Sequence, residues 1–174
     1  MTSVVFSTQG LIPIEAFTTF GMSAKPESTN PFGKFGTGLK IAVAVCLRFG
    51  QEVIVWRGKD KYTFYTKQID FRGKEFAQVR MKRETWHVGD IFKKSYVDLP
   101  FTTELGKHWE LWQAFREFQT NTMDENGETA IWNDTNPMFG LKRLLDENYL
   151  LRGNKPEDMT HIVVLGSKFV DEYH

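Results

Sequence analysis

The chain has 174 residues, and its 22 Lys plus Arg balance 22 Asp plus Glu. Zero formal charge gives no general attraction to nucleic acid or to an acidic membrane surface, so neither is expected as a partner. The lone cysteine, Cys46, excludes an internal disulfide and a cysteine zinc site and implies a reducing, cytoplasmic setting, while no segment approaches the roughly 20 apolar residues that cross a bilayer. Residues 1–174 are expected to form one domain with a dense aromatic core.

Ser3 to Phe6 reads as a short strand, ended by the polar Ser7-Thr8-Gln9-Gly10 turn. From Thr18 to Phe35 the chain is rich in Gly, Ser, Thr, Asn and Pro, which predicts an exposed loop suited to a lid. A nearly all-apolar helix is expected from Gly38 to Phe49, stopping at Gly50. The period then changes to alternation, and Glu52 to Trp56, Lys61 to Lys67 and Glu75 to Lys82 read as an antiparallel meander. Its hairpin loops are Gly58-Lys59-Asp60 and Arg72-Gly73-Lys74. Glu84 to Glu104 has no clear assignment beyond an extended piece ending at Pro100. A second strong helix spans about Lys107 to Met123 and is closed by Asn126-Gly127; a helix near Leu141 to Leu151 and a strand His161 to Leu165 follow.

The run Phe32-Gly33-Lys34-Phe35-Gly36-Thr37-Gly38-Leu39-Lys40 puts three glycines directly before the apolar helix. Glycine lets a backbone approach an anion closely, and the N–H groups of a helix start carry partial positive charge, so the run reads as a phosphate cradle. Lys25, Lys34 and Lys40 surround it and offer a cation to the phosphates. The second helix carries Glu117, Asn121 and Asp124, a spacing that places all three on one face, with oxygen donors of the hard type that Mg²⁺ prefers. Taken alone, that face reads better as a solvated helix surface.

The G-x-F-G-x-G spacing at Gly33 to Gly38 resembles the second glycine box of the GHKL ATPases, the superfamily of gyrase B, heat-shock chaperone, histidine kinase and MutL ATP-binding domains. The Glu117/Asn121/Asp124 helix is similar to that family's Glu/Asn helix, and Gly10-Leu11-Ile12-Pro13 falls where the family carries its adenine-binding turn. The order differs, since the Glu/Asn helix comes last here, as a circular permutation would produce. Ser7 or Thr8 stands where the family has its adenine-binding aspartate, which puts base preference in question.

The resemblance implies a two-layer α/β sandwich of Bergerat type, a mixed but mainly antiparallel sheet with helices on one face. It further implies a lid over about 18–35, a glycine box at 33–40 and the Glu/Asn helix at about 107–124. ATP and Mg²⁺ are the implied cofactors. Asn121 would ligand Mg²⁺, and Glu117 would contact it through water and act as general base. Gly10, Ile12, Pro13, Lys25, Gly33, Lys34, Phe35, Gly36, Thr37, Gly38, Leu39, Lys40 and Asp124 complete the implied nucleotide contacts, with amides of Gly36 to Lys40 on the phosphates. Slow ATP hydrolysis is the expected activity, with a homodimer or a protein client as further partner. A small phage protein acting in the host cytoplasm is the kind of chain it resembles. The rival reading is a degenerate GHKL fold kept as an interaction module. The four histidines have no metal-ligand spacing and read as structural. Arg80, Lys82, Arg83 and Lys93-Lys94 read equally as a basic patch or as alternating charges on a strand.

Overall fold

A computed structural model of the chain describes residues 2–18, 32–87, 90–132 and 159–174. The strands are β1 (Ser3–Gln9), β2 (Glu52–Arg57), β3 (Asp60–Phe71), β4 (Lys74–His87), β5 (Asp90–Thr102), β6 (Glu128–Trp132) and β7 (Met159–Leu165). The described helices are α1 (Glu15–Thr18), α2 (Phe32–Arg48), α3 (Leu111–Asp124) and α4 (Ser167–Tyr173). The strands form one seven-stranded sheet in the order β5-β4-β3-β2-β7-β1-β6.

The meander arises as the alternation predicts. Val53 and Val55 of β2, Tyr62 and Phe64 of β3, Val79 and Met81 of β4 and Leu99 and Phe101 of β5 all join one core. That core also takes Phe17 of α1, Leu39 to Cys46 of α2, Leu111, Ala114 and Phe118 of α3, and Phe169 of α4. The described helices therefore lie on one face of the sheet, giving two layers around shared apolar surface. Phe6 of β1 is the aromatic hub, with ring centroids 5.6 Å from Phe115, 5.4 Å from Phe118 and 6.1 Å from Phe169. On the other face Val5, Met159, Val163 and Leu165 form a smaller cluster with Ile54 and Trp56. Burial deep in α2 pushes the Cys46 thiol well above its usual range, so it stays an inert thiol.

Three expectations change. The sheet was expected to be mixed, yet every described pairing is antiparallel. The reason is β7: β1 and β2 run in the same direction and are joined through the helical layer, but β7 enters between them, antiparallel to both. The segment Glu84 to Glu104, unassigned from sequence, is the end of β4 and the whole of edge strand β5. Its irregular pattern reflects register shifts between Gln78 and Arg80 and between Thr85 and Trp86. Finally, α2 begins at Phe32 rather than Gly38, so the glycine box lies inside the helix and not in a loop before it. The expected helix near 141–151 and most of the expected lid lie outside the described residues.

Candidate functional site

Helices α2 and α3 pack side by side on the sheet, and three of the predicted residues, Gly38, Glu117 and Asn121, meet at their contact. Gly38 faces Glu117 so closely that a Cβ on Gly38 would collide with the Glu117 carboxylate. One turn further along α3, the Asn121 side-chain amide donates to Glu117 Oε1 at 3.3 Å. Asn121 is 7 % exposed. With its nitrogen turned to the carboxylate, its oxygen is the atom left to meet a cation. Asp124 is the exposed last residue of α3, a turn beyond Asn121.

Local sequence explains the position of α3. Its first turn is closed by the Glu110 N–H donating to Gln113 Oε1 at 2.8 Å. Its last turn is closed by Gly127 N–H donating to Thr122 O at 2.7 Å, beside Asn126 at φ 55°. Gly127 itself presses on Ser7 O, Thr8 and Thr122, so a side chain there has no room. This contact ties the end of α3 to the end of β1.

Thr8 stands at that junction. It lies on the helix side of β1, the same side as Phe6 two residues earlier, and is 4 % exposed. Its hydroxyl has no hydrogen-bond partner among the described residues. Ser7, on the opposite side of the strand, is bound instead to His161 Nδ1 at 2.8 Å. His161 is buried, and desolvation lowers its pKa to about 4, so it is neutral at pH 7. Its bond to Ser7 ties β7 to β1 within the sheet.

The turn that follows β1 is pinned from two strands. Thr160 Oγ1 donates to Gly10 O at 2.8 Å and accepts from the Ile12 N–H at 2.9 Å, while Arg57 Nε donates to Ile12 O at 2.7 Å. Gly10 adopts φ 86°, which glycine supplies without strain. Pro13 then leads into α1, which packs on α2. Nothing in the sequence singled out Thr160 or Arg57, because both act across the sheet at long separation.

The glycine box requires a correction to its chemistry. In a helix that starts at Phe32, only the N–H groups of its first three residues, Phe32, Gly33 and Lys34, lack intrahelical acceptors. The amides of Gly36 to Lys40, expected to face phosphate, are committed to the helix. Thr37 is exposed, whereas Leu39 belongs to the core. Lys40 is 2 % exposed, and burial holds its pKa below the ordinary lysine value. Lys25 lies outside the described residues.

Among the described residues no three His, Cys, Asp or Glu side chains gather as a metal cage. A Mg²⁺ site needs less, since that ion keeps several waters and takes one or two protein ligands beside phosphate oxygens. The Glu117 carboxylate and the Asn121 amide oxygen fit that requirement. A surface depression of about 590 Å³ lined by Phe76, Leu105, His108 and Trp109 includes none of the predicted residues. No described helix is long and apolar enough to cross a membrane. Comparison with protein-family models, with curated proteins and with solved structures finds no match.

Proposed function

We propose that the chain is a Mg²⁺-dependent ATP-binding protein of GHKL type, with slow ATP hydrolysis. The observation that carries the reading is the meeting of Gly38, Glu117 and Asn121 across the α2–α3 contact. Two motifs far apart in sequence, picked for the same chemistry, are neighbours in space. A purely solvated Glu/Asn face would have had no reason to lie against a glycine of the box.

In this reading the Asn121 oxygen and, through water, Glu117 hold Mg²⁺, which when bound neutralises charge on the phosphates. Glu117, oriented by the Asn121 amide, takes the proton of the attacking water. The open amides at Phe32 to Lys34, at the positive end of the 17-residue helix α2, receive phosphate oxygens. The pinned Gly10-Ile12-Pro13 turn and the Thr8 hydroxyl form the base side of the site. The fold is then a permuted Bergerat sandwich.

One observation favours the rival reading of an interaction module: a hydroxyl at Thr8 stands where the resembled family has a carboxylate acceptor. A hydroxyl both donates and accepts, so it discriminates adenine less strongly than a carboxylate does. Calorimetry with ATP and GTP, with and without Mg²⁺, separates the readings. ATP binding that strengthens with Mg²⁺ supports the enzyme, and absence of any nucleotide binding at millimolar concentration leaves the module.

A further inference from the structure

The strand register sorts the charges of the meander by face. Directly opposed residues share a face. Lys61 opposes Glu84, Thr63 opposes Lys82, Tyr65 opposes Arg80, Lys67 opposes Gln78 and Phe71 opposes Lys74. β5 extends the rows, placing Lys94 beside Glu84, Tyr96 beside Lys82 and Asp98 beside Arg80. The alternate residues, Tyr62, Phe64, Val79, Met81 and Leu99, are the ones in the helix-covered core. The first set therefore forms the outer face.

That face carries the cations Lys61, Lys67, Lys74, Arg80, Lys82 and Lys94. Its carboxylates on these strands are Glu84, held by Lys82 at 3.4 Å, and Asp98, held by Arg80. The core side of the same strands carries Asp60, Asp70 and Glu75 against Arg83 and Lys93. A neutral chain thus presents one distinctly positive sheet face.

Aromatic rings are interleaved with these cations. The Arg80 guanidinium lies 5.8 Å from the Tyr65 ring, and Lys61 Nζ lies 5.6 Å from Trp56. Tyr96 is 55 % exposed and Phe71 58 % exposed. The cations do not converge on a point, as a small anion would require. Lys61 to Lys67 alone spans about 20 Å along β3 at roughly 3.3 Å per residue. A spread of positive charge with exposed rings between suits an extended polyanion that also has flat apolar faces, and single-stranded nucleic acid has both. A broad sheet face does not enter a duplex groove, and an anionic lipid surface offers the rings nothing to stack on.

We propose that the outer face of β3, β4 and β5 binds single-stranded nucleic acid, phosphates lying on the lysines and bases stacking on Tyr96 and Phe71. The proposal uses no residue of the nucleotide site and stands or falls apart from it. The test is fluorescence anisotropy of the full chain with a labelled oligothymidylate of about 20 nucleotides, titrated with salt.

Binding at about 50 mM salt is expected, with log K falling by about 0.7 per phosphate contact for each decade of salt. Lys67→Glu with Lys94→Glu should weaken binding at least tenfold and flatten that slope. Tyr96→Ala should weaken it about tenfold and leave the slope unchanged. Lys93→Glu, the next residue on the same strand but on the core side, is the folded control and should stay within about twofold. No binding at low salt, equal losses in Lys93→Glu and Lys94→Glu, or stronger binding to duplex or to phosphatidylserine vesicles would each overturn the proposal.

Discussion

At Gly38 the backbone of one helix makes room for the carboxylate of another, and the competing effects of a methyl group there can be weighed. Alanine gains about 1 kcal/mol of helix propensity over glycine in a helix interior. The clash is with the free end of a flexible side chain, which can swing aside. Gly38→Ala should therefore leave thermal stability unchanged or raised while displacing Glu117 and abolishing hydrolysis; calorimetric melting and a phosphate-release assay read the two separately. At His161 burial sets the pH response. Its folded-state value of about 4 lies below the ordinary 6.5, so the unfolded chain takes up the proton first. Stability from this group is complete above pH 6.5 and falls through the window down to about pH 4, by up to about 3 kcal/mol. Urea unfolding across that window should show the loss, and His161→Gln should flatten it. The Glu117/Asn121 pair was legible because four-residue spacing is a property of one helix. The Gly38–Glu117 contact, the burial of Lys40 and the setting of Thr8 were not, since each depends on how separate elements pack.

Arg48, at the end of α2, shows what holds an element in place without appearing in any motif. Its guanidinium donates to the carbonyls of Thr103, Leu105, Gly106 and Trp109 at 2.7, 3.4, 3.1 and 2.8 Å. Those are the backbone acceptors of the turn between β5 and α3, which no sheet or helix satisfies. Arg48→Ala should destabilise the fold by about 2–3 kcal/mol in chemical denaturation, because the carbonyls of Thr103, Leu105 and Trp109 lose this donor together while Gly106 O keeps the Trp109 N–H. Gly127→Ala should cost about 1–3 kcal/mol, since the new methyl would meet the Ser7 backbone oxygen, which cannot move aside as a side-chain tip can. Strands β2 to β4 and their hairpins were readable from alternation and from Gly58 and Gly73, both at positive φ, whereas the long strand β5 was not, its pairing with β4 being broken by register shifts. The short elements α1, α4 and β6 were not, because a few residues carry too little periodicity and gain their order from tertiary packing. The early start of α2 has the same cause: the glycines argue against helix locally, and packing on α1 and α3 overrides them.

For the molecule as a whole, strand alternation pointed to an antiparallel meander and the family resemblance implied a helix layer over a mixed but mainly antiparallel sheet; neither pointed to the entry of β7 between β1 and β2. That arrangement lets Thr160 of β7 and Arg57 of β2 both fasten the turn after β1. It aligns that turn, the end of α3 and the α2 helix on one side of the sheet, where the proposed nucleotide site lies. The most direct measurement is calorimetric titration of the full chain with ATP, in Mg²⁺ and in its absence, on wild type and on Asn121→Ala. Saturable ATP binding that tightens with Mg²⁺ in the wild type, and loses that Mg²⁺ dependence in Asn121→Ala, is the predicted result. No binding heat at millimolar ATP in a folded wild-type protein would contradict the account.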